Sequence, residues 1–502
     1  MTNSIFLLTI GPVQGFIAEA RKLRDLHAGS FLLSYIMKKI VNKIQEEPTV
    51  TVVFPLPGYD TMPNRIVCKV EPMGDEEQNS LGINIEAFAK KTFIDIAHKV
   101  KEKHSNVPLK AFNKEVDEHL ECFWVFQDYT DYMTGYSKAL VALEQVKQLR
   151  NFSYTKYPSG RACSLSHGKR ALFAFSNTTR GMMNEHIKLL GSKYDDPSVK
   201  ESEALCAVSF VKRFLADAGV PNYNANFPSI EDIIGQNSPS LYYAAIKFDG
   251  DSMGKVYSES RLKQGVSEDK FHSYLSEALM EFANEVRREI TPDIGVTVFA
   301  GGEDFMGIVK RECMMPVLQH LRNKFSEIVD ISNYVSDGKT MTFSAGVVIA
   351  HKKEPLSEVL KVLGESEKYA KATDDTKDAI SVAVIKHSGE NFMTRMKFGE
   401  RCQNLDTLQE IVKLLKDNHL PMSFAYKLQE SMQQYISTLD GDTKPNSEII
   451  LAEINRLFKV NSGKALRDEE MAHFGNLYSA QKDLQSFIDW LKVCIFVQRE
   501  VN

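Results

Sequence analysis

The chain has 502 residues, is 43% hydrophobic and 25% charged, and carries a formal net charge of −5. That length predicts about two to four domains, and the mild acidity excludes a global nucleic-acid footprint, so any RNA contact must be a local patch or lie on a partner. Seven scattered cysteines with no CxxC pair exclude a disulfide framework and fit a reducing cytoplasm, and the amino terminus offers neither a secretion signal nor a membrane span.

Residues 1–150 alternate strands with helices. Ser4–Ile10 reads as a buried strand, Gly11-Pro12 as a turn, and Val13–Ile44 as one long amphipathic helix. Thr49–Phe54 and Asn64–Val70 follow as strands, helices lie between about residues 84 and 119, Cys122–Gln127 is a strand, and Tyr136–Leu149 a helix. This period is that of a split βαβ unit. Residues 151–239 change to helices and loops punctuated by Pro158, Gly160, Gly168, Gly181 and Gly191, with an amphipathic helix over Glu203–Ala218. Residues 240–390 give a cleaner split βαβ series: strands at 241–248, 294–300, 304–309, 340–350 and 379–385, and helices at 267–289, 314–330 and 355–372. Beyond Gly389, residues 391–502 read as almost wholly helical, with a break at Leu439-Asp440-Gly441-Asp442.

Two acidic turns carry the chemistry. Asp249-Gly250-Asp251-Ser252-Met253-Gly254-Lys255 ends the first strand of the third region, and Gly301-Gly302-Glu303-Asp304 joins its second and third strands. Either turn alone reads as solvated acids on an ordinary turn. Together, at the ends of neighbouring strands, they bring Asp249, Glu303 and Asp304 to one place, where few acids would gather without a cation. Mg2+ or Mn2+ takes hard oxygen ligands, so these carboxylates plus substrate phosphates complete such a shell, and a metal so held activates a hydroxyl and offsets charge on pyrophosphate. Gly250, Gly254, Gly301 and Gly302 let a triphosphate approach the backbone. Gly250 to Lys255 imitates a Walker A loop but is a residue short and has Val256 where Ser or Thr belongs, so a P-loop is not expected.

The hairpin is similar to the Gly-Gly-Asp-Asp signature of polymerase-like palms and to the Gly-Gly-Asp/Glu-Glu-Phe signature of diguanylate cyclases. Ile10-Gly11-Pro12-Val13-Gln14-Gly15-Phe16-Ile17, with Ala20-Arg21, Asp25-Leu26 and Gly29-Ser30-Phe31-Leu32-Leu33-Ser34, resembles the opening of the palm-containing large subunit of Cmr-type (type III-B) CRISPR effector complexes. Leu205-Cys206-Ala207, Lys212-Arg213, Phe343-Ser344-Ala345-Gly346-Val347, Ala370-Lys371 and Ser388-Gly389-Glu390 extend the likeness to residues 4–390.

The resemblance implies an α+β protein with two ferredoxin-like palm domains (1–150 and 240–390) facing each other, an intervening helical domain (151–239) that often carries zinc, and a helical carboxy-terminal domain (391–502). It implies a cytoplasmic nucleotidyltransferase that makes cyclic oligoadenylate from ATP when its complex, with the other subunits and guide RNA, binds target RNA. Alternatives are AMP transfer to another acceptor such as S-adenosylmethionine, a catalytically silent nucleotide-binding scaffold, and a stand-alone diguanylate cyclase. By the same likeness Asp249, Glu303 and Asp304 hold the metals, with Asp251 as a further ligand. Gly250, Asp251, Ser252, Gly254, Lys255, Gly301 and Gly302 line the donor nucleotide, Lys371 and Lys377 neutralise its phosphates, and Gln14, Arg21 and Ser30 contact an acceptor. Three departures stand out. No His-Asp pair opens the chain, so DNA cleavage by this subunit is not expected. The hairpin has Glu303 where Asp is usual. The family's Cys-x-x-Cys is reduced to Cys163-Ser164-Leu165-Ser166-His167, which leaves a structural zinc short of the four soft ligands it needs.

Overall fold

The computed structural model describes residues 2–104, 109–149, 161–166, 168–174, 188–189, 202–235, 240–258, 262–336, 340–386, 391–418, 420–421, 423–438 and 444–498. The chain forms two compact units, one of Met1–Ser229, Gly254–Met280 and Tyr334–Asp337, the other of Ile230–Met253, Glu281–Asn333 and Gly338–Asn502. Residues 254–280, expected in the third sequence segment, thus group with the first unit.

The first unit is built on β1 (Asn3–Gly11), followed by α1 (Gln14–Ala18), α2 (Leu23–Ile44), β2 (Val50–Phe54), β3 (Arg65–Val70), α3 (Asp75–Glu102), α4 (Leu109–Asp117), β4 (Glu121–Tyr129) and α5 (Tyr132–Gln148). The strand order β2-β3-β1-β4, with antiparallel neighbours, is ferredoxin-like. β1 is apolar on both faces because both are covered. Phe6, Leu8 and Ile10 join Leu32 and Ile36 of α2 and Phe93 of α3, while Ile5 and Leu7 join Tyr136, Ala139 and Leu143 of α5.

The single helix expected over Val13–Ile44 is broken between Ala18 and Leu23. Asp25 explains the break: its carboxylate accepts the amides of Arg21 and Lys22, each at 3.1 Å, and so starts α2 afresh. The carbonyls freed at the end of α1 accept from the buried Lys212 ammonium, Glu19 O at 2.7 Å and Phe16 O as well.

Next come β5 (Phe173–Ala174), β6 (Lys188–Leu189) and β7 (Ala204–Leu205), a small sheet in the order β6-β5-β7, and α6 (Ala207–Arg213). The helix expected over Glu203–Ala218 is therefore shorter. Cys206 caps α6 with its sulfur, and a tighter turn covers Leu215–Ala218. Arg213 forks onto Asp25 at 2.6 and 2.9 Å and reaches Glu203 at 2.8 Å, all three buried. The Cys163 and Cys206 sulfurs both meet the Ser209 hydroxyl, at 3.4 and 3.2 Å; His167 lies outside the described residues.

The second unit begins with α7 (Ile230–Ile234) and β8 (Tyr242–Gly250). The chain then runs through α8 (Met253–Tyr257) and α9 (Glu268–Glu289) to β9 (Gly295–Gly301), β10 (Asp304–Lys310), α10 (Met314–Ile328), β11 (Phe343–His351), α11 (Leu356–Lys371), β12 (Ala379–Ile385) and β13 (Asn391–Lys397). The order β13-β12-β11-β8-β10-β9 contains the ferredoxin arrangement again in β11-β8-β10-β9. Helix α11 crosses over to set β12 parallel to β11. Strand β13, where helix was expected, closes the sheet antiparallel to β12. Among the described residues the helices α12 (Gln403–Asp417), α13 (Ser423–Thr438), α14 (Ser447–Ser462), α15 (Asp468–Ala480) and α16 (Leu484–Gln498) follow. Helix α16 is buried almost all round, and its Trp490 indole donates to Arg395 O of β13 at 3.3 Å. The expected break at 439–442 lies outside the described residues.

Candidate active site

The two-residue period of β8 decides what each side chain at its end meets. Phe248 faces α9 and α10. Its ring stacks on Phe305 at 4.6 Å and Phe343 at 4.0 Å and tilts against Phe282 at 5.9 Å. Lys247 and Asp249 consequently face α11, where Lys247 pairs with Glu367 at 2.7 Å and Asp249 with Lys371. Lys371 also holds Glu367, one turn earlier on its helix, at 2.8 Å. Burial disfavours the Glu367 charge, but Lys247 and Lys371 outweigh it and keep the carboxyl below its ordinary range. Helix α11 lies this close because of Gly346, opposite Lys247 in register. A Cβ there would stand 2.3 Å from the Glu367 amide nitrogen and 2.8 Å from its Cα.

β10 runs antiparallel to β8 with Phe305 opposite Phe248, so the next step of the register sets Asp304 against Asp249. Gly302 turns the hairpin at φ +64, a left-handed value that glycine adopts without strain. Desolvation and the neighbouring Asp249 and Glu303 carboxyls hold the Asp304 carboxyl well above its ordinary range. Glu303 stands beside them: a Cβ on Gly250 would come 2.9 Å from its Cβ and 2.8 Å from Met253 Cγ, so this position is closed to larger residues. Gly301 is opposite Asp304 across the hairpin.

Asp249, Glu303, Asp304 and Lys371 are thus brought together as the sequence suggests. Among the described residues no three metal-ligating side chains are already gathered around a common point. Asp249 is instead paired with the Lys371 ammonium. Two neighbouring carboxyls with a third adjoining are hard oxygen donors of the kind a divalent cation takes.

Asp251 differs from expectation. It is buried, and its oxygens accept from Thr342 Oγ1 at 2.7 Å, Ser344 Oγ at 2.8 Å and the Asp378 amide at 3.0 Å. So engaged it fastens the loop to the sheet, with both carboxylate oxygens already accepting hydrogen bonds. Ser252 takes a left-handed φ of 57, strain held by the anchored residue before it. Gly254 and Lys255 are exposed on α8. Lys377 has φ 55 and immediately precedes Asp378, whose amide binds Asp251, so its backbone is tied to the floor of the site. Gln14 and Arg21 are exposed and Ser30 half-buried, at the start of α1, in the break after it and on α2 of the first unit. Sequence reading missed Lys247 and Glu367. The only trace of their role was the spacing of Glu367 and Lys371 on a helix end; Lys247 looked like an incidental strand charge.

Residues 5–124 match the family model for the amino-terminal part of the CRISPR-associated protein Cmr2, and residues 242–381 match that for the second palm domain of Cas10/Cmr2. The Cmr2 subunit of the CRISPR Cmr system of Pyrococcus furiosus is 26% identical over 176 residues, 31% of this chain and 20% of that protein, so the matched stretch spans a fifth of the relative's length. Among solved structures, the type III-B Cmr-beta complex in its apo state contains a chain similar at TM-score 0.70 and 12% identity, covering 99% of this chain and 82% of that one. The Cmr-beta complex bound to cognate target RNA gives 0.67 and 12%, covering 99% and 83%. The Csm1–Csm4 cassette in complex with cA4 gives 0.55 and 12%, covering 99% and 70%. At these identities the structural likeness shows the fold. Among the described residues no helix is long and apolar enough to cross a membrane. With one family match on each ferredoxin-like sheet, the chain belongs to the Cas10/Cmr2 family of Cmr-type large subunits.

Proposed function

We propose that the second palm is a divalent-metal-dependent nucleotidyltransferase that converts ATP to cyclic oligoadenylate, with release of pyrophosphate, inside a type III-B complex bound to target RNA. The observation that carries this reading is the carboxyl pair of Asp249 and Asp304, set against each other at the paired ends of β8 and β10 with Glu303 adjoining. Neighbouring carboxyls cost stability through like-charge repulsion that cations must offset, and Lys371 meets part of that need at Asp249.

Asp249, Asp304 and Glu303 would hold Mg2+ or Mn2+, which when bound supplies Lewis-acid polarisation of the reacting phosphate and activates the attacking hydroxyl. The chain's own groups do the positioning. The Gly301-Gly302 turn and Gly250 keep side chains away from the backbone where a triphosphate passes, and Asp251 fixes the loop that carries Ser252 toward Gly254 and Lys255. Lys371 and Lys377 offer positive charge to the phosphates. Gln14, Arg21 and Ser30 are assigned to the acceptor nucleotide. The cA4 held by the structurally related Csm1–Csm4 cassette supports the product class, and the target RNA held by the Cmr-beta complex supports the partners. The test is to assemble the complex with its companion subunits, guide RNA and target RNA and to incubate it with ATP and Mg2+ or Mn2+, with and without S-adenosylmethionine. Mass spectrometry should show cyclic oligoadenylate in both arms. An adenylylated acceptor that appears only with S-adenosylmethionine, and no oligoadenylate, would transfer the assignment to AMP transfer.

A further inference from the structure

We infer that Lys371 is a built-in counter-ion of the site: it occupies Asp249 while no divalent cation is present and gives it up when one binds, with Glu367 as its second seat. The inference rests on the reading above, that Asp249 and Asp304 receive a divalent cation.

Three features carry it. First, the Lys371 ammonium is bonded to Asp249, which the register of β8 and β10 sets against Asp304, so ammonium and cation compete for the same oxygens. Second, Lys371 has another carboxylate within reach: Glu367, 7% exposed, lies 2.8 Å from it on the same helix. Releasing Asp249 therefore costs one ion pair and leaves the ammonium satisfied. Third, that second seat is fixed independently of Lys371. Lys247 holds the other oxygen of Glu367 at 2.7 Å, and the Gly346 contact sets the height of α11 above the sheet. An ammonium turned from Asp249 to Glu367 stays at the rim of the site, where an arriving triphosphate needs positive charge. Glu367 is thus a positioning residue, and the chain keeps its acids neutralised when empty without blocking them.

The experiment is Mn2+ binding to the purified full-length chain without nucleotide, read by electron paramagnetic resonance of free Mn2+. Lys371→Met should bind Mn2+ about fivefold or more tightly than wild type, the factor for one modest ion pair, while product formation by the assembled complex falls. Glu367→Gln should weaken Mn2+ binding, because Lys371 then has only Asp249. Lys371→Arg keeps the charge at its seat and should stay near wild type, which guards against a folding defect of the Met variant. Lys247→Met removes an equal charge that pairs with Glu367 instead of the acids. If it tightens Mn2+ binding as much as Lys371→Met does, only the general field matters and the counter-ion role is overturned. Mn2+ binding by wild type with no change in Lys371→Met would overturn this inference alone. No Mn2+ binding by wild type would overturn the metal site itself.

Discussion

Gly346→Ala is the change whose consequence the structure specifies most closely. The added Cβ would stand 2.3 Å from the Glu367 nitrogen, against the 3.4 Å or more of ordinary contact, a shortfall of 3.4 − 2.3 = 1.1 Å. The Cβ is fixed by the β11 backbone and the atom it meets is α11 backbone, so no side-chain rotation relieves the conflict and the helix must lift or the strand must bend. Overpacking of this sort costs about 1–3 kcal/mol. Glu367 moves with the helix and Lys371 follows, so the ion-pair chain from Lys247 to Asp249 is pulled apart as well. Native-state hydrogen exchange on β11 and α11 amides reads the local loss, and product formation by the assembled complex reads the functional one. Gly364→Ala on the same helix is the control, since nothing lies within 4 Å of its Cβ; a helix-interior glycine replaced there should stabilise by about 0.5–1 kcal/mol. If Gly346→Ala keeps wild-type protection and turnover, the close packing that seats Glu367 and Lys371 is wrong.

Arg213→Met should destabilise the first unit by about 3–5 kcal/mol, because it strands the buried Asp25 and Glu203 carboxylates; a urea midpoint unchanged from wild type would contradict that network. Stability should also fall on mild acidification. His272 donates or accepts through both ring nitrogens inside the first unit and is held neutral by burial, its pKa lowered from 6.5 to about 4. The unfolded chain therefore binds the extra proton first. The His272 contribution is complete above pH 6.5 and is lost progressively between 6.5 and 4, up to roughly 3 kcal/mol in all. His119, lowered to about 3 chiefly by burial, adds in the same direction. Urea titrations at pH 7 and pH 5 should show the drop, and His272→Asn should shrink it.

The second palm was legible because β8, β10, β11 and β12 are largely buried apolar runs and the acids sit at the ends of β8 and β10. β8, β9, β10, β11 and β12 lie within a few residues of the expected runs, and the pairing of Asp249 with Asp304 follows from the hairpin once the strands are neighbours. What remained hidden depends on contacts distant in sequence. The break at Arg21-Lys22 is made by Asp25 and by Lys212, which comes from beyond the first sheet. Strand β13 (Asn391–Lys397) has no long apolar run and carries Arg395 and Lys397, and only its pairing with β12 and its contact with α16 show it as a strand. Asp251 looked equivalent to Asp249, but the register sets Ser344 opposite Asp249 and lets Asp251 fold back onto Thr342 and Ser344. The grouping of residues 254–280 with the first unit rests on partners such as Tyr132 for His272 and Val53 for Ser273, invisible to any local pattern.

The most direct test of the central claim is product analysis on the assembled, target-bound complex with ATP and Mg2+, comparing wild type with the Glu303→Ala, Asp304→Ala double variant. Both residues sit on a solvent-reaching turn, so assembly and guide binding should be retained. Wild type should yield cyclic oligoadenylate and pyrophosphate, and the double variant neither. Continued synthesis by the double variant, or no nucleotide product from the wild-type complex, would contradict the assignment of this palm as the catalytic centre.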